Sequence, residues 1–507
     1  MSLLSSEEYI KLIDPENPIK FGTDGWRGII SQDFNWDNLK KITIAIANFV
    51  KSEQRKNLDI YHIDYTKHNE ASYKVKYRDY SKGVAVGYDF RFMSEIYAKK
   101  VAQILSAFDI PVYISKEACS TPALSLATYK NYCAGIMITA SHNPYYYNGI
   151  KYKAEYGGSS NPEMTKLIEQ FLSNNTNSDK IKINYNLINE VDFNTYYLDE
   201  ILKFVDIQKI REYLVKNNII VVVDYMYGVL ANSFKKLLNL DFNLIELNNY
   251  RNPYFGNRSP EPIPKNLQEL KNVIEMIGDN CIGFAFDGDG DRIFAKTKDS
   301  WITPHEILPL LALHLIKNKK WDGKLVRTLP TSTKIQRIGK YFNIETIEVP
   351  VGFKYIADLF VKENILIGGE ESGGIGFKNH IPERDSLLNA LFILEFLAFE
   401  NIKPNELLNY LHRYTGESYC YREDLHFENI EQQQIFFNKV KNNPDLIKEF
   451  LEGEIEIKDY VRIKESEYRW IVLRPSGTEP LIRIYAEDVS INQVKNLINS
   501  VVKKING

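Results

Sequence analysis

The 507-residue sequence has little of several features that would assign it quickly to a class of proteins. Its four cysteines are scattered and form no CxxC pair, which argues against a disulfide framework or a zinc site and favours reduced thiols. None of its eight histidines forms an HxxxH pair, and neither a Walker A pattern nor a GxGxxG pattern is present. A nucleotide-binding interpretation therefore has no motif behind it.

An excess of charge of one sign and long apolar runs are also lacking. The net charge of −3 and the pI near 6.3 give no global reason to expect nucleic acid as a partner. The most apolar stretch, Leu387 to Phe399, is too short to span a bilayer and contains Asn389 and Glu395, so we predict a buried helix there. The first residues lack the basic and apolar regions of a signal peptide. We expect a cytoplasmic protein without a membrane or nucleic-acid partner.

The length of the chain and its order of strand and helix patterns predict several α/β domains. At roughly 100–200 residues per domain, the chain should contain three or four. Apolar, strand-like runs alternate with helical patterns in three successive stretches, which is typical of βαβ units. The last stretch instead places two strand-like runs around a tight loop before a final helix. We predict three successive α/β domains with mixed, mainly parallel sheets and a smaller α+β C-terminal domain.

The predicted boundaries place the first three domains at 1–195, 196–298 and 299–415, and the fourth at 416–507. Within the first domain, residues 52–80 are polar, mixed in charge and poor in aliphatic side chains. We interpret this segment as a surface insertion.

Three polar loops follow predicted strands, at the position where open parallel sheets bind their ligands. They are residues 139–149, 287–292 and 368–374, and a fourth polar loop, 474–480, lies in the C-terminal domain. The fold alone therefore predicts a ligand site at these loops.

The loop DGDGDR, residues 287–292, carries Asp287, Asp289 and Asp291. In an extended strand the outer two would lie about 13 Å apart, too far for one metal ion with oxygen bonds of ~2.1–2.5 Å. The two intervening glycines permit the curl that would bring the carboxylates together. Because crowded carboxylates need a counter-charge, we predict a divalent cation here, with a solvated acidic turn as the alternative.

Other metal motifs fit this loop poorly. An EF-hand needs Gly at position 6 and Glu at position 12, where this sequence has Arg292 and Lys298. An aspartyl phosphatase of the haloacid dehalogenase class has Thr or Val at the position of Asp291, so this alternative is weak.

The loop that follows the apolar run 134–138 presents Ser141 as a candidate nucleophile. The serine lies in Ala-Ser-His and not in the GxSxG pattern of serine hydrolases, so acyl transfer is not expected. The alternative for Ser141 is a turn or capping hydroxyl, and the alternative for His142 is a structural hydrogen bond.

The loop RPSGTEP, residues 474–480, offers a guanidinium, two hydroxyls and a glycine amide within five residues. Such a group of donors suits a phosphate dianion, although an ordinary hairpin turn is the alternative. A serine beside a metal site, together with a distant phosphate clamp, indicates phosphoryl transfer on a phosphorylated substrate.

The sequence resembles the α-D-phosphohexomutase family (phosphoglucomutase/phosphomannomutase) in five stretches that occur in the family's order. These are FGTDGWRG (21–28), TASHNPYYYNGIK (139–151), DGDGDR (287–292), GGEESGG (368–374) and RPSGTEPLIRIY (474–485). The resemblance implies four domains around a central cleft.

The resemblance also implies a role for each matched residue. Ser141 matches the family's phosphoserine, Lys151 its general acid/base, and Arg27 and Arg292 the arginines beside that phosphoserine. The expected sets are catalytic Ser141, Lys151, His142 and Arg27; substrate-binding Arg292, Gly352, Glu370, Ser372, Arg474, Ser476, Gly477 and Thr478; and Mg²⁺-binding Ser141, Asp287, Asp289 and Asp291.

The implied reaction interconverts hexose 1-phosphate and hexose 6-phosphate through a hexose 1,6-bisphosphate that turns over in the cleft. The loop 368–374, which matches the family's sugar-binding loop, ends in Ser-Gly-Gly, whereas many phosphomannomutase and phosphoglucosamine mutase relatives have Ser-Gly-His there. We therefore expect glucose ahead of glucosamine as the substrate. Mannose, glucosamine and pentose phosphates remain open, as do a magnesium-dependent sugar phosphatase and a non-catalytic binding protein. The segment 52–80 is longer than the family leads us to expect.

Overall fold

The computed structural model describes residues 19, 21, 25–64, 66, 70–173, 182–240, 243–477 and 479–506. The predicted substrate residue Thr478 lies outside the described residues, as do positions 22–24 of the first matched stretch. The described chain forms four sheets, and we number the domains after them.

The first domain contains a six-stranded mixed sheet. Its strands are β1 (Trp26–Ile29), β2 (Val84–Tyr88), β3 (Val112–Ser115), β4 (Ala134–Ile138), β5 (Tyr147–Ala154) and β6 (Ile188–Val191). They lie in the order β1-β5-β4-β2-β3-β6, and β4, β2, β3 and β6 are parallel to one another. β5 is antiparallel to β4, and β1 is antiparallel to β5. Its helices are Trp36–Lys51, Glu53–Lys56, Ser94–Ser106, Thr121–Asn131 and Pro162–Ser173.

The second domain contains a five-stranded sheet. Its strands are β7 (Ile220–Asp224), β8 (Leu244–Leu247), β9 (Cys281–Phe286), β10 (Ile293–Thr297) and β11 (Trp301–Ile302). They lie in the order β11-β10-β9-β7-β8, with the last three parallel and β10 and β11 antiparallel. The helices around it are Phe193–Ile201, Ile207–Lys216, Ser233–Leu238 and Gln268–Ile277.

The third domain contains a four-stranded sheet. Its strands are β12 (Lys324–Thr328), β13 (Thr346–Val349), β14 (Ile365–Gly369) and β15 (Ile375–Phe377). They lie in the order β13-β12-β14-β15, and only β15 is antiparallel to its neighbour. Its helices are Pro304–Lys317, Lys334–Phe342, Phe353–Lys362, Ser386–Glu400 and Leu407–Thr415.

The fourth domain is antiparallel throughout. Its strands are β16 (Tyr419–His426), β17 (Glu454–Ile457), β18 (Val461–Lys464), β19 (Trp470–Pro475) and β20 (Leu481–Asp488), in the order β16-β20-β19-β18-β17. Its helices are Ile430–Asn442, Asp445–Lys448 and Ile491–Asn506. The predicted fold class, three α/β domains with mixed sheets and a smaller α+β domain, is confirmed.

Local sequence explains why the site loops lie where they do. β4 is a continuous apolar run buried along its whole length, as expected for a central strand covered on both faces. The helix Thr121–Asn131 begins where the Ser120 hydroxyl accepts a hydrogen bond from the Ala123 N–H and Pro122 occupies the first turn. The polar residues after β4, β9 and β14 therefore reach one edge of their sheets.

One continuous hydrophobic core joins the first three domains, whereas the fourth domain has a core of its own. Leu124, Phe284 and Leu391, from the first, second and third domains, belong to the same buried cluster. Ile471 and Val494 belong to a separate cluster within the fourth domain. The site loops of the first three domains are therefore held on one packed body.

The prediction of a surface insertion at 52–80 is wrong for several of its residues. Five of its described side chains are buried: Arg55, Leu58, Ile60, Tyr73 and Val75. Ser72 N–H donates to the Glu363 carbonyl at 2.9 Å, and the Tyr73 hydroxyl donates to the Phe377 carbonyl at 2.6 Å. These hydrogen bonds connect the segment, which we call the strap, to the third domain. Its polar composition did not predict this contact.

The predicted buried helix is confirmed as Ser386–Glu400. Its Glu395 is fully buried, and His314 and Lys319 offset the cost of burying this charge by pairing with the carboxylate at 2.8 and 3.0 Å. Among the described residues, no helix is both long and apolar enough to cross a membrane. The four cysteines are free.

Candidate active site

The loop between β9 and β10 curls as its glycines allow and gathers its three aspartates. Asp287, Asp289 and Asp291 are fully buried, and one carboxylate oxygen from each lies within 4.8 Å of the others. Gly290 has φ 74°, and a Cβ there would lie 2.8 Å from Leu230. The position therefore requires glycine.

Some carboxylate oxygens of this cluster accept hydrogen bonds, and others have no hydrogen-bond partner among the described residues. Asp287 Oδ1 accepts the N–H groups of Asp291 and Arg292 at 2.9 and 3.1 Å, and Asp287 Oδ2 accepts the Ser141 hydroxyl at 2.8 Å. Asp289 Oδ1 and Asp291 Oδ1 are buried and have no hydrogen-bond partner among the described residues. Burial, with Asp291 and Asp289 nearby, holds the pKa of Asp287 well above its usual range. Buried carboxylates with free oxygens fit a hard divalent cation.

Lys151, on β5, places a buried ammonium against this cluster. Its Nζ lies 2.8 Å from Asp289 Oδ2 and 3.3 Å from Asp291 Oδ2. Burial raises the pKa of Asp289, but the Lys151 ammonium and the hydrogen bonds from Lys151 and Thr121 outweigh it and leave this pKa well below its usual range. The ammonium therefore partly neutralises the cluster.

Ser141 is held in a strained position immediately after β4. Its φ of 54° lies in the left-handed region, which non-glycine residues rarely adopt, and its N–H donates to the Thr139 hydroxyl at 2.9 Å. This conformation turns the hydroxyl towards Asp287 Oδ2. The structure thus brings the candidate nucleophile and the aspartates together.

Arg91 holds the loop that carries Ser141, residues 139–149 (the serine loop), and no role for it was predicted from the sequence. Its guanidinium donates to the carbonyls of Ser141 and Asn143, both at 2.6 Å, and to those of Pro144 and Tyr147. Asp89 pairs with it at 3.2 Å. The polar Asp-Phe-Arg that follows β2 at the edge of the sheet was the available signal.

Arg27, His142 and Arg292 lie near one another, against the loop that carries Ser141 and the aspartate loop. Arg27, on β1, donates to Asn143 Oδ1 at 2.8 Å, and Arg292 Nε lies 3.8 Å from Asp291 Oδ1. Burial, with the nearby charges of Arg292 and Arg27, holds the pKa of His142 well below its usual range. The imidazole is therefore neutral at pH 7 and can donate a hydrogen bond without adding charge.

The sugar loop, residues 368–374, connects β14 to β15. Burial is the main cause that raises the pKa of Glu370 to about 7, Arg384 opposes the rise and Glu371 adds to it. Ser372 is partly exposed, and Gly352, with φ 127°, lies at the start of the helix Phe353–Lys362. The loop therefore offers a carboxyl group that is ready to lose its proton near neutral pH.

Arg384 is a second residue of the candidate site that the sequence did not reveal. Its Nη2 lies 2.8 Å from Asp291 Oδ2, and its Nη1 lies 3.8 Å from Glu370 Oε2. Arg384 therefore bridges the aspartate loop, residues 287–292 (the metal loop), and the sugar loop. A Cβ at Gly374 would lie 2.2 Å from Arg384 Cδ. The Ser-Gly-Gly ending therefore has a local cause, because the arginine fills the space that a side chain at 374 would need. No sequence signal links two positions ten residues apart.

The fourth loop lies on the sheet of the fourth domain, between β19 and β20. Arg474 is the second-last residue of β19, Ser476 is buried, and Gly477 is exposed with open space around it. The buried Gln433 amide holds the loop by donating to the carbonyls of Ser476, at 3.0 Å, Glu479 and Leu481. The predicted phosphate residues within the described part are thus displayed on a fixed turn.

The sugar loop contacts the fourth domain through Glu371. Its carboxylate accepts the Thr328 hydroxyl at 3.0 Å and lies 3.5 Å from the hydroxyl of Tyr485, on β20. On the other side, Glu479 lies close enough to Tyr147 to contribute to the raised pKa of that phenol, which burial dominates. Together with the contacts of Ser141 and Arg384, these contacts bring the four loops close to one another.

Four protein-family profiles match successive parts of the chain. They are described as phosphoglucomutase/phosphomannomutase alpha/beta/alpha domain I at residues 67–179, domain II at 195–300, domain III at 303–414 and the C-terminal domain at 431–504.

Individual relatives agree with these profiles. A phosphoglucosamine mutase of Methanocaldococcus jannaschii is 30% identical over 393 residues, which cover 76% of this chain and 83% of that protein. A phosphoglucosamine/phosphogalactosamine mutase of Sulfurisphaera tokodaii is 29% identical over 505 residues, which cover 96% and 99%. The open form of parafusin, a phosphoglucomutase of Paramecium, shares the fold with a TM-score of 0.79 at 23% identity, covering 97% of this chain and 95% of that one.

Proposed function

Because the chain belongs to the phosphoglucomutase/phosphomannomutase family of phosphohexomutases, we propose that it interconverts hexosamine 1-phosphates and 6-phosphates, with glucosamine preferred. The expectation of glucose ahead of glucosamine rested on the missing histidine at position 374. Arg384 gives that position a steric reason to be glycine, so the argument against glucosamine loses its force. The names of the two relatives favour an amino sugar.

The observation that carries the proposal is the acidity of the sugar loop. Glu370 and Glu371 are adjacent carboxylic acids, and the second contributes to the raised pKa of the first. The ammonium group of a hexosamine phosphate would supply the counter-charge that a neutral hydroxyl of glucose cannot. An amino sugar therefore suits this loop better than glucose does.

In the proposed reaction, the phosphoryl group moves between Ser141 Oγ and a sugar hydroxyl. The Oγ–P bond breaks as the sugar O–P bond forms. Lys151, which lies 2.8 Å from Asp289, would in its neutral amine form take the proton of the sugar hydroxyl and pass it to the Ser141 oxygen that has lost its phosphoryl group. The bisphosphate then turns over in the cleft and returns its other phosphate to Ser141.

The remaining residues stabilise charge and position the substrate. Arg27, which donates to Asn143, and Arg292, which lies beside Asp291, would bind the equatorial oxygens of the transferred group. Arg474, Ser476, Gly477 and Thr478 would hold the phosphate that does not react. Mg²⁺ bound by the three aspartates and the Ser141 phosphate would neutralise developing charge on the phosphoryl group.

The substrate assignment is tested with initial rates on glucosamine 1-phosphate, glucose 1-phosphate, mannose 1-phosphate and ribose 1-phosphate, each primed with its bisphosphate. We expect kcat/KM for glucosamine 1-phosphate to exceed that for glucose 1-phosphate by roughly tenfold or more, because a charge-assisted contact is worth about 1.5–3 kcal/mol. A higher value for glucose 1-phosphate contradicts the proposal.

Glu371→Gln provides the matched control. It should lower kcat/KM for glucosamine 1-phosphate roughly three- to tenfold and leave the value for glucose 1-phosphate nearly unchanged, since only the first substrate carries an ammonium. An equal loss on both sugars would mean that Glu371 supports the loop and does not read the amine.

A sugar phosphatase would share the metal site and the phosphate clamp. Release of free phosphate from glucosamine 1-phosphate, measured beside isomerisation, distinguishes the two activities, and we expect isomerisation to dominate. We also infer a cytoplasmic location, which the four free cysteines support.

A further inference from the structure

Thr121 links the first domain to the metal loop of the second through two hydrogen bonds. It is fully buried at the start of the helix Thr121–Asn131. Its N–H donates to the Asp289 carbonyl at 2.9 Å, and its hydroxyl donates to Asp289 Oδ2 at 2.5 Å. Both the backbone and the side chain of this aspartate are therefore held by one residue from another domain.

These contacts determine which oxygen of Asp289 remains free. Oδ2 is occupied by Thr121 and by the Lys151 ammonium at 2.8 Å, whereas Oδ1 is buried and has no partner among the described residues. With Oδ2 fixed, the carboxylate cannot rotate without breaking two hydrogen bonds. Oδ1 is the atom left to bind a cation.

We propose that Thr121 is a positioning residue of the metal centre: its hydroxyl fixes the rotamer of Asp289 and thereby sets the affinity for the divalent cation. The inference rests on the metal site of the proposed function. Hydrogen-bond partners of metal ligands typically contribute 10–100-fold to metal affinity, because they orient the ligand before the ion arrives. Thr121 also ties the position of the cation to the domain that carries Ser141.

The same helix offers a control. The Thr128 hydroxyl is equally buried but donates to the Leu124 carbonyl of its own helix at 2.8 Å. Thr128→Val therefore removes a buried hydroxyl at a similar structural cost without touching the metal loop. Thr121→Val removes the bond to Asp289 at nearly constant volume, and Thr121→Ser restores the hydroxyl.

The test is a titration of the purified, substrate-free protein with Mn²⁺, followed by the loss of the free-ion electron paramagnetic resonance signal. We expect Thr121→Val to weaken Mn²⁺ binding about tenfold or more, Thr121→Ser to stay within about threefold of wild type, and Thr128→Val to match wild type. In turnover, Thr121→Val should raise the Mg²⁺ concentration needed for half-maximal rate, with kcat largely recovered at saturation. Thr121→Ala replaces the valine variant if the latter does not fold.

The failures are distinguishable. If wild type itself binds no Mn²⁺, the metal site of the proposed function is wrong. If wild type binds and Thr121→Val binds equally well, the site stands and the role of Thr121 is refuted. An equal loss in Thr128→Val would reduce Thr121 to a structural residue and would also overturn the inference.

Discussion

The metal loop and the phosphate loop are built in opposite ways. At residues 287–292 the three aspartates are buried and contact residues of two other domains, Ser141 and Lys151 of the first and Arg384 of the third. At residues 474–480 the loop is partly exposed, belongs to a domain with its own core and presents Gly477 to open space. The side chains of the metal loop are in contact before a substrate arrives, whereas in the proposed function the phosphate loop would be completed by the phosphate of the substrate.

The difference matches the demands of the two tasks. Phosphoryl transfer depends on groups held in place beforehand, since reorganising charges during the reaction costs rate. Binding a distal phosphate needs only donors on a firm turn, and access matters as much as order. We therefore expect changes at the metal loop to act on catalysis and changes at the phosphate loop to act mainly on binding.

The largest effect should follow removal of the nucleophile. Ser141→Ala leaves no carrier for the phosphoryl group, so we expect kcat to fall by roughly 10⁴-fold or more while the protein stays folded. Phosphopeptide mass spectrometry of active wild type should find phosphate on the fragment that contains Ser141. Substantial isomerisation by the alanine variant would show that the buried end of the cleft is not the reacting end.

Asp289→Asn should reduce activity roughly 100-fold at ordinary Mg²⁺ concentrations, because one anionic ligand of three is lost. Part of the rate should return in excess Mg²⁺. Full activity of wild type after dialysis against a chelator would contradict a metal role for this loop.

Arg474→Ala tests the other end of the cleft. Loss of a charge-assisted contact worth about 1.5–3 kcal/mol should raise KM roughly 10–100-fold, with a smaller change in kcat. A drop in kcat at constant KM would mean that the phosphate loop takes part in the chemical step, and the contrast between the two loops would fail.

Glu370→Gln should lower kcat/KM about tenfold on sugar phosphates, while Ser141 still becomes phosphorylated by a hexose 1,6-bisphosphate. Because burial raises the pKa of Glu370 to about 7, the carboxylate fraction grows as pH rises through 7. Wild-type kcat/KM should therefore increase between pH 6 and 8, and the glutamine variant should lack this rise, as pH–rate profiles on both proteins would show. Identical profiles would remove Glu370 from substrate recognition.

The smallest effect on activity should come from the junction between the third and fourth domains. Buried Glu487 accepts hydrogen bonds from Ser332, Arg337 and Ser418 at 2.8, 2.7 and 2.6 Å. Glu487→Gln should cost roughly 2–4 kcal/mol of stability, seen as a lower thermal midpoint, with kcat little changed. A large loss of kcat would mean that the junction controls the reacting end as well.

The same residue predicts a pH dependence. Burial raises the pKa of Glu487, but Arg337, Lys334 and the hydrogen bonds outweigh it and lower this pKa to about 2. A lowered pKa stabilises the fold above the usual carboxyl range and loses that contribution as pH falls from about 4.5 towards 2. The difference in thermal midpoint between wild type and Glu487→Gln should be constant near pH 7 and shrink below pH 4.5.

The sequence by itself determined the order of the domains and the positions of the site loops. Alternating apolar and polar runs specify the strands, and in an open sheet the ends of those strands specify where a ligand binds. The motif residues Ser141, Asp287, Asp289 and Asp291 could be named because each loop is short and its chemistry is local.

Only the tertiary structure decided how those loops meet. Arg91, Thr121 and Arg384 act through contacts with residues 50 to 168 positions away, and no local pattern encodes such a distance. The prediction of a surface insertion at 52–80 failed for the same reason, because parts of this polar segment pack against another domain and are not exposed to solvent. Local composition specifies the local structure of each element; which buried hydrogen bonds form between elements depends on the packing of the whole chain.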